Sequence, residues 1–407
     1  MHAFKAAFCI LSVLATVSCH TDKRSSATEN FLENCPVAGT YEQSGKDKVF
    51  VCSPELLKDT VRLPLSLFAD EMQVIKLDSR DEALVPETGI SVSDNYILVH
   101  SGYPPTVFKL FDKKGNFISD IGAIGQGPGE YGNIYDAQID EPADRIYLLP
   151  WQSKQLLVFD LKGNAKDPIP LHLRCPKAKF RVDSRNETVS VVVLPFKGFP
   201  VVAWTQDTKG NMIDSIVPGH LEVPMDFSNE VLSGGNIPGV FDVNIMSLSP
   251  TRQDTLYRYD TKNNRLCPVF TYIQPQGQDI PWHGFYEWPG YYTGHTSGPP
   301  VKQQMEFGIA YTPGPTVHYI IDKQTGKGAY FTLYNDYFGN QEMGWPSSIF
   351  NGSYYSRNIE PGNLLTEIEE ILKKDDLPDA MRKKLTDLQN SVNENDNNYI
   401  LLSRMKK

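Results

Sequence analysis

The densest run of chemistry-bearing side chains in this 407-residue sequence lies between Asp279 and His295. Trp282, Tyr286, Trp288, Tyr291 and Tyr292 supply flat apolar faces, His283, Glu287 and His295 supply polar edges, and Gly and Pro interrupt the run. The composition predicts a long loop. Rigid aromatics with polar edges suit a sugar face or an anchor on a peptide or protein partner, and loops on a rigid scaffold commonly carry function. Two readings stay open. In one, the five aromatics stack on a ligand while His283, Glu287 and His295 orient it by hydrogen bonds. In the other, the aromatics cover an otherwise open sheet edge. His283 and Glu287 lack a third ligand at defined spacing, so no metal is assigned. A second cluster, Tyr330, Phe331, Tyr334, Tyr337 and Phe338, is expected to pack a sheet.

Catalytic signatures are otherwise absent: no HExxH, no GxSxG, no EF-hand loop and no Cys/His cluster at zinc spacing. No catalytic residue and no cofactor is assigned. The glycine string Gly125-Gln126-Gly127-Pro128-Gly129 is not a phosphate loop, because no GK[ST] follows and Pro128 removes an N–H that would face a phosphate. A tight connection is expected there instead. With 39 Lys+Arg against 49 Asp+Glu the net charge is −10, and no basic run stands out, which excludes nucleic acid as the expected partner.

The elements that must position these residues announce themselves as a repeat. An apolar strand ending in Asp, with Gly or Asn three or four residues on, recurs at Asp112, Asp160, Asp207, Asp260 and Asp322, at intervals of 48, 47, 53 and 62 residues. Asp caps such a turn through its side chain, and Gly or Asn supplies the positive φ that closes it. The neighbouring strands, such as Tyr96–Val99, Arg145–Leu149 and Gln155–Phe159, are near-continuous apolar runs and so are covered on both faces. Sheets of 45 to 50 residues, each held between two neighbours around an axis, meet that condition. The expectation is an all-β, six-bladed β-propeller. Five blades carry the five turns, and the sixth pairs Met72–Leu77 with Asn398–Leu402, so that both chain ends close one sheet. A helical insertion over residues 363–395 is predicted from apolar stripes at Leu364, Leu365, Ile368, Ile371 and Leu372, then Met381, Leu385, Leu388 and Val392.

Val74–Val99 and Val107–Tyr131, with Gly-Gln-Gly-Pro-Gly-Glu-Tyr at 125–131, resemble the uncharacterised six-bladed propeller lipoproteins of bacteria, relatives of the NHL and TolB-like propellers. The resemblance covers residues 60 to 405, with blades three to five matching weakly. It implies a fold and an exported, anchored location, and it carries over no catalytic residue.

At the N-terminus, Lys5 precedes the apolar stretch Ala6–Val17, which suits the h-region of a signal peptide. Small residues lead to Cys19, the expected lipidation site. The expected organisation is signal peptide 1–18, lipidated N-terminus and flexible tether 19–48, and propeller 49–407 at the bacterial cell envelope. Cys35 and Cys52 either close a small disulfide loop or, with Cys175 and Cys267, remain thiols. The functional expectation is a membrane-anchored binding module for a glycan, peptide or protein. The alternative is a propeller-type enzyme, a metal-assisted lactonase, hydrolase or lyase with its site in the central channel.

Overall fold

The computed structural model describes residues 31–234, 236–247, 254–273, 282–298, 301–305, 308–312 and 314–407. The signal peptide and Cys19 lie outside the described residues. Every Asp of the repeat closes the turn between the third and fourth strands of one antiparallel sheet. Asp112 Oδ1 accepts from the amides of Lys114 at 2.8 Å and Asn116 at 3.0 Å, and Asp160 Oδ1 from those of Lys162 at 3.0 Å and Asn164 at 2.9 Å. Asp207, Asp260 and Asp322 accept turn amides in the same way.

Six such sheets make a six-bladed β-propeller. Blade 1 holds Gly89–Val92, Tyr96–Ser101, Val107–Asp112 and Phe117–Asp120; blade 2 holds Ile134–Asp140, Arg145–Pro150, Ser153–Phe159 and Ala165–Cys175. Blade 3 holds Ala178–Asp183, Thr188–Val193, Ala203–Asp207 and Met212–Ile216; blade 4 holds Glu230–Ser233, Asp242–Met246, Thr255–Asp260 and Arg265–Tyr272. Blade 5 is built on Trp282–Glu287, Tyr291–Ser297, Thr316–Asp322 and Gly328–Asn335. Blade 6 orders Phe350–Asn351, Tyr354–Ile359, Tyr399–Arg404 and, from the other end of the chain, Gln73–Lys76. The closing register pairs Ile400 with Ile75 and Leu401 with Val74. Each blade has a blade on either side, so Ile97, Leu98 and Val99 are all fully buried although they point alternately to opposite faces.

The turn residues also lock neighbouring blades. Gly115 has φ +88°, and a Cβ there would stand 2.0 Å from the backbone oxygen of Lys76, on the closing strand of blade 6. Gly163 has φ +81°, and a Cβ there would stand 2.3 Å from Asp120 O, at the end of the outer strand of blade 1. In blade 4 the same place is taken by Asn264 at φ +49°, whose amide donates to Ser215 O on the outer strand of blade 3 at 3.0 Å. The repeated Gly or Asn thus does two jobs: it closes its own hairpin and seats it on the preceding blade.

Three additions decorate this frame. The expected tether over 19–48 is corrected in its described part: Leu32 is fully buried, and Gly39–Ser44 pairs with Asp47–Cys52, which adds parallel to the outer strand of blade 4 through Phe50 and Phe270. These residues bury apolar side chains, which a tether does not. Thr60–Pro64 adds in parallel to Gly328–Asn335 of blade 5. Helices α1 (Pro361–Leu372) and α2 (Asp379–Ser391) fill the connection between the second and third strands of blade 6, and they bury Leu364, Ile368, Ile371 and Leu385 as their stripes predict. Phe331 and Phe338 are buried in the same core, as expected. Cys35, Cys52, Cys175 and Cys267 are all free thiols. Among the described residues no helix is long and apolar enough to cross a membrane.

Candidate functional site

The aromatic run does not form a loop. Trp282–Glu287 and Tyr291–Ser297 are the first two strands of blade 5, paired from Trp282 with Ser297 to Glu287 with Tyr292. Alternation along paired strands sends their side chains to opposite faces, so the eight residues cannot share one surface. Trp282 begins the first strand, and its side chain lies outside the described residues. Trp288, 1% exposed, packs edge-on against Phe68 at 5.0 Å and Phe350 at 5.0 Å. Tyr292 is buried against Phe50 and Phe270, and Tyr291 is half-buried against Phe31 and Phe68. The expected stacking surface of five aromatics is therefore corrected: Trp288 and Tyr292 belong to the core.

The polar members are equally committed. His283 is buried, with Nδ1 3.2 Å from Asp254 Oδ2. Glu287 is buried in an ion network, bonded to Arg258 and, at 2.6 Å, to Lys323 Nζ; Arg258 in turn grips Asp242 at 2.9 and 3.1 Å. Burial opposes ionisation of Glu287, yet Asp242, Lys323 and Arg258 together hold its carboxyl below the usual range. His295 has Nδ1 3.3 Å from Ser347 Oγ, and that hydroxyl lies 2.9 Å from His318 Nδ1. Trp345 stands edge-on to both rings, at 5.2 and 5.6 Å. Burial pushes both imidazoles down to about 4, so they stand neutral at pH 7.

Among the described side chains of the eight, Tyr286 reaches the propeller axis. It lines a cavity of about 410 Å³ to which the first strand of every blade contributes: Ser91, Asp136, Arg181, Ser233, Tyr286 and Asn351, in blade order. The first strand of blade 3 also adds Lys179, the second strand of blade 1 adds His100, and Tyr103 lines the cavity from the connection after Ser101. Lys179 Nζ lies 3.2 Å from Asp136 Oδ1. His100 Nε2 is 2.9 Å from Ser91 Oγ, its ring stacks on Phe108 at 5.5 Å, and burial pushes it down to about 4.

On the end of the propeller that also carries Tyr103, where second strands pass to third and one blade passes to the next, lies an exposed aromatic pair. Trp151, 43% exposed, and Phe227, 47% exposed, meet edge to face with centroids 6.4 Å apart, and Phe227 rests on buried Phe196 at 5.1 Å. Lys177 fixes the segment by donating to Phe227 O at 2.7 Å, Asn229 O at 2.9 Å and Glu230 Oε2 at 2.9 Å. Burial pushes Glu230 up to about 7. The arrangement sets flat apolar faces on the same end of the propeller as Tyr103 of the concave polar cavity.

Sequence reasoning missed Trp151 and Phe227 because they stand singly, in connections of different blades. One signal was available. Once the Asp turns mark one end of every blade, the opposite connections, including Tyr103 and Trp151, are fixed by counting strands.

Among the described residues no group of three or more His, Cys, Asp or Glu side chains is placed to hold a metal ion. A family model described as a domain of unknown function (DUF4934) matches residues 48–404. No curated protein matches the chain. Among solved structures, the "Putative exported protein" of Bacteroides fragilis NCTC 9343 is 17% identical, with a TM-score of 0.54 over 86% of this chain and 100% of that one. At that identity the likeness shows a shared fold. A member of the DUF4221 family from Bacteroides vulgatus ATCC 8482 is 9% identical, with a TM-score of 0.40 over 83% of this chain and 98% of that one. Hydrazine synthase of Kuenenia stuttgartiensis is 10% identical, with a TM-score of 0.38 over 76% and 83%.

Proposed function

The chain belongs to the DUF4934 family, a domain of unknown function, and from that premise we propose that its propeller is a saccharide-binding module whose site is the axial cavity and the exposed aromatic pair. One observation carries the reading: Trp151 and Phe227 keep nearly half their surface in water while most described aromatics are buried, and they stand at the same end of the propeller as Tyr103, which lines a polar cavity fed by all six blades. Exposed, rigid rings stack on the C–H faces of a sugar, and hydroxyl-matching groups such as Ser91, Tyr286 and Asn351 suit its polar rim. The enzyme alternative calls for carboxylates converging on the channel. Among the described lining residues Asp136 is the one carboxylate, and Lys179 holds it.

The reading includes export through residues 1–18 and anchoring by acyl chains on Cys19, supported by the signal-like apolar stretch and the small residues before that cysteine. Cys19→Ala is then expected to release the protein from membranes. The binding site is tested by screening the protein against an oligosaccharide array and titrating the ligands found. Trp151→Ala and Phe227→Ala should each weaken binding by about tenfold while leaving the fold intact. Unchanged affinity in both variants removes this face from the function, and an array bound only by peptides reassigns it to a peptide partner.

A further inference from the structure

We propose that the saccharide entering the axial cavity carries a carboxylate and that Arg181 binds it; this rests on the binding reading above and names its ligand class. The charge of the cavity opposes that of the chain. The protein carries −10, yet Lys179 and Arg181, two residues apart on the first strand of blade 3, both line the cavity, against Asp136 as the one lining carboxylate among the described residues. Asp136 is already committed twice, to Lys179 Nζ at 3.2 Å and to the amide of Phe180 at 3.2 Å. His100 adds no charge at neutral pH.

Arg181 is left over. Its Nη1 donates to Phe180 O at 2.8 Å, and its guanidinium lies 5.0 Å from the centre of the Phe241 ring. Among the described residues it pairs with no carboxylate. Arg181 is half-buried, and four of its five N–H groups have no partner among the described residues, so they are free to meet an anion. The planar fork matches a carboxylate, which it binds through two parallel hydrogen bonds. One unbalanced charge calls for one anionic group.

Arg181 also borders a second cavity, of about 590 Å³, at the opposite end of blades 2 to 4. Asp140 and Asp183 line that side together with Arg185, so with Arg181 its charges balance, whereas the axial side keeps one positive charge in excess. Around the axis Ser91, Ser233, Tyr286 and Asn351 offer partners for sugar hydroxyls. The class that fits is an oligosaccharide containing a uronic acid.

The test is calorimetric titration of the full chain with oligomers of galacturonate, mannuronate and glucuronate, each as the free acid and as the methyl ester, together with a sulfated galactose oligomer. At least one acid should bind about tenfold or more tightly than its own ester. Arg181→Met should remove that preference, bringing the affinity of the acid down to that of its ester, and Arg181→Lys should restore part of it. Thermal melting of both variants checks that the blade is intact. Equal affinity for acid and ester overturns the carboxylate assignment and leaves the binding reading standing. Tighter binding of the sulfated oligomer also overturns it. No binding of any oligomer, acid or ester, overturns both.

Discussion

Asp136 and Lys179, from the first strands of adjacent blades, meet at 3.2 Å inside the axial cavity, with side chains only 15% and 18% exposed. The pair ties blade 2 to blade 3 at the axis, where strands from six blades converge and, among the described residues, no strand ladder joins the first strands of neighbouring blades. Asp136→Asn removes the charge that Lys179 faces and weakens the bond to the Phe180 amide. The expected loss is about 1–3 kcal/mol of stability, read from urea denaturation. Adding Lys179→Met to Asp136→Asn should recover part of that loss, because the double variant leaves no unpaired ammonium in the cavity. Full additivity of the two losses would show that the residues do not act as a pair.

Trp288→Ala is expected to cost about 3–5 kcal/mol, measured by denaturant titration, and to leave the affinity of the remaining folded protein unchanged. The ring is 1% exposed and lies where blade 5, blade 6 and the turn at Phe68 meet. Its indole N–H has no hydrogen-bond partner among the described residues. Trp288→Phe should therefore cost far less, since it keeps most of the packing and gives up no bond. A Trp288→Ala protein of normal stability but weak binding would restore Trp288 to the binding surface.

That contrast measures how far the sequence could be read. The propeller, its closure and the helical insertion were legible because each rests on a local pattern. Asp followed by Gly or Asn marks turns, unbroken apolar runs mark strands with two covered faces, and Leu364, Ile368 and Ile371 mark a helix face. The candidate site was not legible in the same way. A run rich in Trp, Tyr and His has the composition of a binding loop and equally of a buried hairpin, and only pairing decides between them. Glu287 looked like a free hydrogen-bonding group, but its partners Arg258 and Lys323 are distant in sequence. The cavity draws its lining from all six blades, so no segment of the chain displays it.

Stability should fall as the medium is acidified from about pH 6.5 to about pH 4. His100, His295 and His318 each have a folded-state pKa pushed down to about 4 by burial, against an ordinary value of 6.5. Between those values the unfolded chain binds more protons than the folded one, so the stability present above pH 6.5 drains away on the way down to 4. Glu230 and Asp242 work in the opposite sense: raised by burial to about 7 from 4.5 and to about 6 from 3.8, they favour the folded state at the lower end of the range. Three groups against two leave a net loss towards acid. His318→Asn keeps a polar partner for Ser347 but does not titrate in this range, so denaturation midpoints recorded across pH 4 to 7 should show a shallower slope for that variant. An identical slope would mean that His318 takes up its proton at the same pH in the folded and the unfolded chain.

Gly115→Ala tests whether the repeat works between blades as well as within them. Gly115 and Gly45 both sit at positive φ, +88° and +61°, so alanine is strained at either place. Around Gly45 a Cβ meets nothing within 4 Å, whereas at Gly115 it would stand 2.0 Å from Lys76 O. That oxygen belongs to the backbone of the closing strand and cannot rotate away. The amide of Asp78 donates to Gly115 O at 2.9 Å, so pushing the turn outwards also stretches a bond to the segment that follows that strand. Gly45→Ala should cost about 1 kcal/mol, the ordinary strain of the left-handed region, and Gly115→Ala on the order of 3 kcal/mol or more. The excess should appear as faster amide exchange at Leu77, whose amide donates to Asn398 O at 3.0 Å where the two ends of the chain meet. Equal costs at the two glycines would confine the role of the turn to its own hairpin, and the closure would then depend on strand pairing alone.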